Sequence, residues 1–192
     1  MPSPGGDTIG RRRLDPHLDA FRDLGARVGG EVEIELSAPP DGLRATRIFM
    51  DEPSVMGTEN ALLVAALIRG PTTIANAASE PHVQDLARFL VELGARIDGI
   101  GTNRLIIDGV ERLSGGRFRI GPDHIEIASF IGLGAITGSD LRIEDVRPED
   151  LRMINLTFER LGIRVELDGD TLRVPPEQDL RVVADEGDAI PK

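Results

Sequence analysis

The sequence predicts an α+β fold made of repeated β-α-β-α-β-β units with buried helices, and predicts it incomplete. Three observations point there. Leu24-Gly25-Ala26-Arg27 recurs as Leu93-Gly94-Ala95-Arg96 and again as Leu161-Gly162-Ile163-Arg164, 69 and then 68 residues further on. Self-similarity at a nearly fixed period is the mark of a repeated architecture. Each copy closes an amphipathic helical pattern, and the later copies lead into pairs of short strands. Two other helical stretches, 61–68 and 127–136, are apolar around most of their circumference, which places them inside a domain rather than on its surface.

The elements follow in order. After the first Leu-Gly pair, 31–37 is strand-like and 38–41 a loop. A whole unit then runs from about 44 to 110. Its apolar helix, 58–69, is stopped by Gly70-Pro71, and 72–74 is a strand. A second helix, 81–93, sets Val83, Leu86, Phe89, Leu90 and Leu93 at helical spacing. Strands 96–99 and 105–108 form a hairpin across Gly101-Thr102-Asn103. The next unit, about 118–174, repeats the plan. A helix at 125–136 ends at Gly138-Ser139-Asp140, and strand 141–143 follows. An amphipathic helix at 148–161 leads into strands 164–167 and 171–174. Pro81 and Pro148 suit a first helical turn, where a missing N–H costs nothing. The glycine after each leucine suits the left-handed residue that closes a last turn.

This places a partial first domain at 1–121 and one unit of a second domain at 122–192, with an acidic tail after 174 that reads as an incomplete segment or a disordered end. The first unit lacks its front strand and helix. The chain therefore reads as part of a longer protein, with an apolar repeat edge open to adjacent sequence, a partner chain or self-association.

Composition excludes several roles. The chain has no Cys, so disulfides, thiolate nucleophiles and cysteine metal sites are ruled out, which fits the cytoplasm. The formal net charge of −11 disfavours nucleic acid, whose phosphates are bound through positive charge. No apolar run follows the N-terminus as a signal peptide requires, and 61–68 is too short to span a bilayer. His17, His82 and His124 have no metal-ligand spacing. No cofactor, nucleic acid or membrane is expected.

The chemistry-bearing stretch is Pro4-Gly5-Gly6-Asp7-Thr8-Ile9-Gly10-Arg11-Arg12-Arg13-Leu14-Asp15. Its glycines make it a loop, and it sets one carboxylate beside three guanidinium groups. Such a loop can do proton chemistry on an anionic substrate.

With His17, Asp51, Ser54-Val55, Thr58-Glu59-Asn60, 77–81, 109–113 and 122–126, this loop resembles the UDP-N-acetylglucosamine 1-carboxyvinyltransferase family of enolpyruvyl transferases. The resemblance runs from Pro4 to about Val174, as several separate blocks in the right order. It implies an inside-out α/β barrel, or α/β prism, with three such units in each of two domains. It also implies two small-molecule substrates, UDP-N-acetylglucosamine and phosphoenolpyruvate, in the first committed step of peptidoglycan synthesis. The enolpyruvyl group passes to the sugar 3-hydroxyl and phosphate leaves.

That chemistry needs a general acid near the methylene carbon of phosphoenolpyruvate. The resemblance assigns it to Asp7, at a position where most members have cysteine. Fosfomycin alkylates that cysteine, so resistance to the drug is implied. Arg12 matches a phosphate and nucleotide contact. Arg13, Leu14, Asp15 and Pro16 fall on the uridine-contact segment. Glu52, Pro53, Ser54 and Val55 fall on the loop that holds the diphosphate ahead of a helix N-terminus, a natural anion site.

Three positions depart from the family pattern. Glu52 replaces a usual lysine, Met56 a glycine and Arg13 a proline. The family's Lys-Asn pair, an upstream arginine and the downstream Asp and Arg lie outside the sequence, so the isolated chain is expected to be inactive. The alternatives are a shikimate-type 3-phosphoshikimate 1-carboxyvinyltransferase and a non-catalytic binding protein on the same fold.

Overall fold

The computed structural model describes residues 13–30 and 33–181. It divides into two compact units, the first reaching Arg119 and the second beginning at Ile120. Helices and sheets are mixed throughout, and the α+β expectation stands.

In the first unit, α1 (Asp15–Asp23) carries Pro16 in its opening turn and buries Pro16 and Ala20. β1 (Arg27–Gly29) and β2 (Glu35–Ser37) pair antiparallel. Then come β3 (Arg47–Phe49), α2 (Val55–Ala65), β4 (Gly70–Ala75), α3 (Pro81–Glu92), β5 (Arg96–Asp98) and β6 (Arg104–Gly109). The sheet order is β3-β4-β6-β5. β3 and β4 are parallel, with Ile48 opposite Ile74, and α2 is the crossover that a parallel pair requires. The remaining pairings are antiparallel. Ala61, Leu62 and Ala65 of α2 share a core with Leu24, Ile48, Ile74, Leu90, Leu105 and Ile107. At the end of β6 the backbone touches the last turn of α2, where Val110 N–H donates to Ala66 O at 2.9 Å. A Cβ on Gly109 would lie 1.9 Å from Ile68 O and 2.5 Å from Ala65 O, so only glycine allows the approach.

The second unit contains α4 (His124–Thr137), β7 (Leu141–Ile143), a 3-10 turn (Pro148–Leu151), α5 (Arg152–Arg160), β8 (Glu166–Asp168) and β9 (Thr171–Val174). Its sheet is antiparallel, in the order β7-β9-β8. Asp123 caps α4 by accepting from the N–H groups of Ile125 and Glu126, which satisfies two otherwise orphaned donors. Ile127, Ile131, Ala135, Leu151, Leu172 and Val174 form the core.

Three expectations need correction here. The unit expected from about 118 has no opening strand, since residues 110–123 carry no regular element. The helix expected at 148–161 begins as a separate 3-10 turn, in which Asp150 N–H donates to Arg147 O. The segment after 174 also turns back on its unit. Arg164 N–H donates to Gln178 Oε1 at 2.7 Å, and Arg181 N–H to Leu161 O at 3.0 Å. Residues beyond 181 lie outside those described.

The three Leu-Gly sites share one local geometry. Gly25, Gly94 and Gly162 have φ of 98°, 103° and 74°. Each glycine N–H donates to the carbonyl three residues back, and the next residue's N–H to the carbonyl five back, as in Ala26→Phe21, Ala95→Leu90 and Ile163→Phe158. This paired closure satisfies the last carbonyls of the helix and needs a left-handed residue, which glycine adopts without strain. The leucine carbonyl then accepts from Arg44, Ser114 or Arg181, tying a later segment to each corner.

Within the two units the apolar helices are covered on part of their surface. α2 buries Gly57, Thr58, Ala61, Leu62 and Ala65 but exposes Met56 and Leu63. α4 buries Ile127, Ile131, Gly134 and Ala135, while Ile136 is 73% exposed and Phe130 42%. Each helix is apolar around most of its circumference; α2 packs against α1, α3 and the sheet, and α4 against β7 and β9, which leaves part of each apolar surface open.

Candidate functional site

Arg13, Asp15, Glu52 and Ser54 gather where the parallel strands β3 and β4 end. The carboxyl ends of parallel strands are where open α/β sheets bind ligands, because the loops there leave the sheet and are free to carry polar groups. Backbone bonds stitch the two loops together. Met50 N–H donates to Ala75 O at 3.0 Å, and Asn76 Nδ2 returns a bond to Met50 O at 2.8 Å. Asn76 has a left-handed φ of 54°, which asparagine tolerates better than most residues.

Ser54 caps α2, its Oγ accepting from Gly57 N–H at 3.2 Å. Thr58, fully buried, donates from Oγ1 to Ser54 O at 2.8 Å and accepts from Ala78 N–H at 3.0 Å. That hydroxyl joins the start of α2 to the loop after β4.

On this platform sits a polar cluster. Arg13 Nη2 donates to Asp51 Oδ2 at 2.7 Å, Nε to Asp15 Oδ2 at 3.1 Å and Nη1 to Glu52 Oε2 at 3.4 Å. The hydrogen bond Arg13 donates to Asp51, then that to Asp15, raises the Arg13 pKa beyond its ordinary value, so the guanidinium stays charged. Beside it, Asn60 Nδ2 donates to His17 Nδ1 at 2.7 Å, a second polar tie between α1 and α2. Glu52 does not stand as an isolated anion before the helix: its carboxylate answers Arg13. One guanidinium nevertheless faces three carboxylates, and a phosphate arriving here needs a further cation.

The structure thus brings Arg13, Asp15 and Glu52 together, with Ser54 and Val55 opening the helix beside them. Leu14 precedes α1 and is half-buried, Pro16 is buried in its first turn, and Pro53 is exposed. Asp7 and Arg12 lie outside the described residues. Sequence reasoning gave no role to the Asp51 grip or the His17–Asn60 pair, because their partners are about forty positions apart. Asn76 was findable, as an asparagine at the end of an apolar strand. Among the described residues no group of His, Asp and Glu is arranged to hold a metal ion, and no helix is long and apolar enough to cross a membrane.

Comparison with known proteins gives a consistent picture. The EPSP synthase (3-phosphoshikimate 1-carboxyvinyltransferase) family matches residues 3–187. The chain is 51% identical over 192 residues to the UDP-N-acetylglucosamine 1-carboxyvinyltransferase of Treponema denticola, covering 100% of the chain and 45% of that protein. It is 53% identical to the protein of the same name from Bradyrhizobium diazoefficiens, covering 44% of it. The chain thus spans less than half the length of these relatives. Among solved structures, an enolpyruvyl transferase from Streptomyces tendae aligns over 87% of the chain and 43% of its own, with a TM-score of 0.66 at 23% identity. The EPSP synthase of Acinetobacter baumannii aligns over 88% of the chain and 41% of its own, with a TM-score of 0.60 at 19% identity. These likenesses establish the fold.

Proposed function

The chain belongs to the EPSP synthase family, and on that premise we propose that its whole protein transfers the enolpyruvyl group of phosphoenolpyruvate to the 3-hydroxyl of UDP-N-acetylglucosamine. The observation that carries the choice of acceptor is the identity of 51–53% over the entire chain to transferases named for that sugar nucleotide. The shikimate-type acceptor rests on the family's name and on structural likeness near 20% identity, and is the weaker reading. The domains are read as a partial first domain, 1–121, and one unit of a second, 122–192, within the repeated α/β prism. The three matching Leu-Gly corners and the uncovered sides of α2 and α4 support that architecture.

In this reading the site works as follows. The Asp7 carboxyl gives its proton to the methylene carbon of phosphoenolpyruvate, and a C–H bond forms. The adjacent carbon becomes oxocarbenium-like. The sugar 3-hydroxyl oxygen bonds to it and gives its proton to the family's base Asp, which lies outside this sequence. Elimination then breaks the bond to the phosphate oxygen and removes a proton from the methyl group, which restores the vinyl group and releases phosphate. Asp7 must be protonated to begin, against an ordinary pKa of about 3.9. Desolvation and the bound anion push it up, while the neighbouring arginines oppose the shift. Arg12, Arg13, Leu14, Asp15 and Pro16 contact the nucleotide, and Glu52, Pro53, Ser54 and Val55 frame its diphosphate. The product commits the sugar to peptidoglycan, and the reaction runs in the cytoplasm.

Titration of the whole protein with UDP-N-acetylglucosamine and, separately, with shikimate 3-phosphate tests the acceptor. Saturable binding of the sugar nucleotide alone is expected, and the reverse preference overturns the reading. Asp7 lacks the sulfur that fosfomycin alkylates, so no adduct is expected by mass spectrometry. A labelled Asp7 contradicts that.

A further inference from the structure

Arg13 has three carboxylate partners, and they are not equivalent. Asp15 lies two residues along the same segment, so its bond at 3.1 Å cannot fix Arg13 relative to α2. Glu52 makes the longest contact, 3.4 Å, and lies one residue further from the strand end. Asp51 makes the shortest, 2.7 Å, and it directly follows Met50. Met50 is 2% exposed, and its N–H and C=O are both held by the strand-end bonds to Ala75 and Asn76. The Asp51 carboxylate thus combines the shortest bond with direct attachment to a core-anchored residue.

We infer that Asp51 is a positioning residue that fixes the Arg13 guanidinium at the loop leading into α2, so that segments 13–16 and 52–55 meet a ligand as one preset surface. The inference rests on the nucleotide reading above and extends it to a residue with no direct substrate role. Guanidinium chemistry permits it. Arg carries five N–H donors in a planar fork, and the three contacts use one on each nitrogen. One hydrogen on each Nη is left for a phosphate or uracil oxygen. A side chain already held in place loses less freedom when the ligand arrives, which favours binding and leaves the chemical step untouched.

The test uses the whole protein with Asp51→Asn, Asp51→Glu, Arg13→Ala and the double variant Arg13→Ala/Asp51→Asn. Asp51→Asn is expected to raise KM for UDP-N-acetylglucosamine about fivefold, the upper range for a partly exposed ion pair, with kcat within about twofold. Asp51→Glu restores most of the loss. In the Arg13→Ala background Asp51→Asn adds nothing. An unchanged KM in Asp51→Asn, or an equal increase in the Arg13→Ala background, overturns the inference. A second readout is independent of turnover. Solvent exchange of the Arg13 Nη2 hydrogens, the ones Asp51 holds, followed by NMR, should speed up in Asp51→Asn, and an unchanged rate also overturns the inference. Failure of the unmutated protein to use the sugar nucleotide counts against the functional reading alone, while faster exchange still upholds the tether.

Discussion

Arg13 Nη2 stands 2.7 Å from Asp51 Oδ2, across 38 positions of sequence. That bond, with Asn60 Nδ2 to His17 Nδ1, ties the first part of α1 and the residues before it to α2 and its entry loop and makes one surface of two separate segments. Arg13→Lys keeps the charge but loses the fork that addresses three carboxylates at once. It is expected to bind UDP-N-acetylglucosamine more weakly, and Arg13→Ala weaker still, by about tenfold. Calorimetric titration checks both, and equal affinity in all three proteins contradicts the placement of Arg13 at the nucleotide.

The Thr58 hydroxyl joins α2 to the loop after β4. Thr58→Val keeps the shape but removes the acceptor for the buried Ala78 N–H. Leaving such a donor unpaired costs about 1–3 kcal/mol. Thr58→Ser retains the hydroxyl and should cost less. Denaturant unfolding monitored in the first unit gives both values.

Gly109 touches the carbonyls of Ile68 and Ala65. Gly109→Ala must push β6 away from α2, and overpacking of this kind costs about 1–3 kcal/mol. The contact is with backbone, which cannot rotate aside, so the upper end is expected. A wild-type denaturation midpoint for Gly109→Ala shows that the contact is not tight.

In the second unit, Arg173 bridges β7 and β8 from the strand between them. It donates to both Asp140 oxygens at 2.7 and 3.0 Å and to Glu166 at 3.0 Å. The Arg173 hydrogen bond lowers the Asp140 pKa from 3.8. A carboxyl depressed in the folded state contributes stability above its unfolded value and loses it as pH falls through the folded one. Asp140→Asn should therefore melt below wild type at neutral pH, and the difference should shrink as the pH is taken below 3.8. A gap in melting temperature that is constant with pH contradicts the pairing.

Much of the fold was legible because its signals are local. The Leu-Gly corners stand out since only glycine closes those helices cheaply, and Pro81 marks the first turn of α3 where it was expected. The sheets were harder. Nothing local says that β3 pairs with β4 in parallel, or that residues 110–123 form no strand, because pairing depends on partners far along the chain. The apolar circumference of α2 and α4 was read correctly as a property of the sequence but does not say what covers it. At the site, the residue types were visible in sequence, and the way Glu52 is answered by Arg13 was not. Ion-pair partners 39 positions apart leave no spacing to recognise.

Asp7 is proposed to protonate phosphoenolpyruvate for transfer to UDP-N-acetylglucosamine. Phosphate release by the whole protein with both substrates, wild type beside Asp7→Asn, tests it most directly. Release should depend on the sugar nucleotide and fall by about 100-fold or more in the variant, the scale of a lost general acid. Full activity in Asp7→Asn, or release that depends on shikimate 3-phosphate instead, contradicts it.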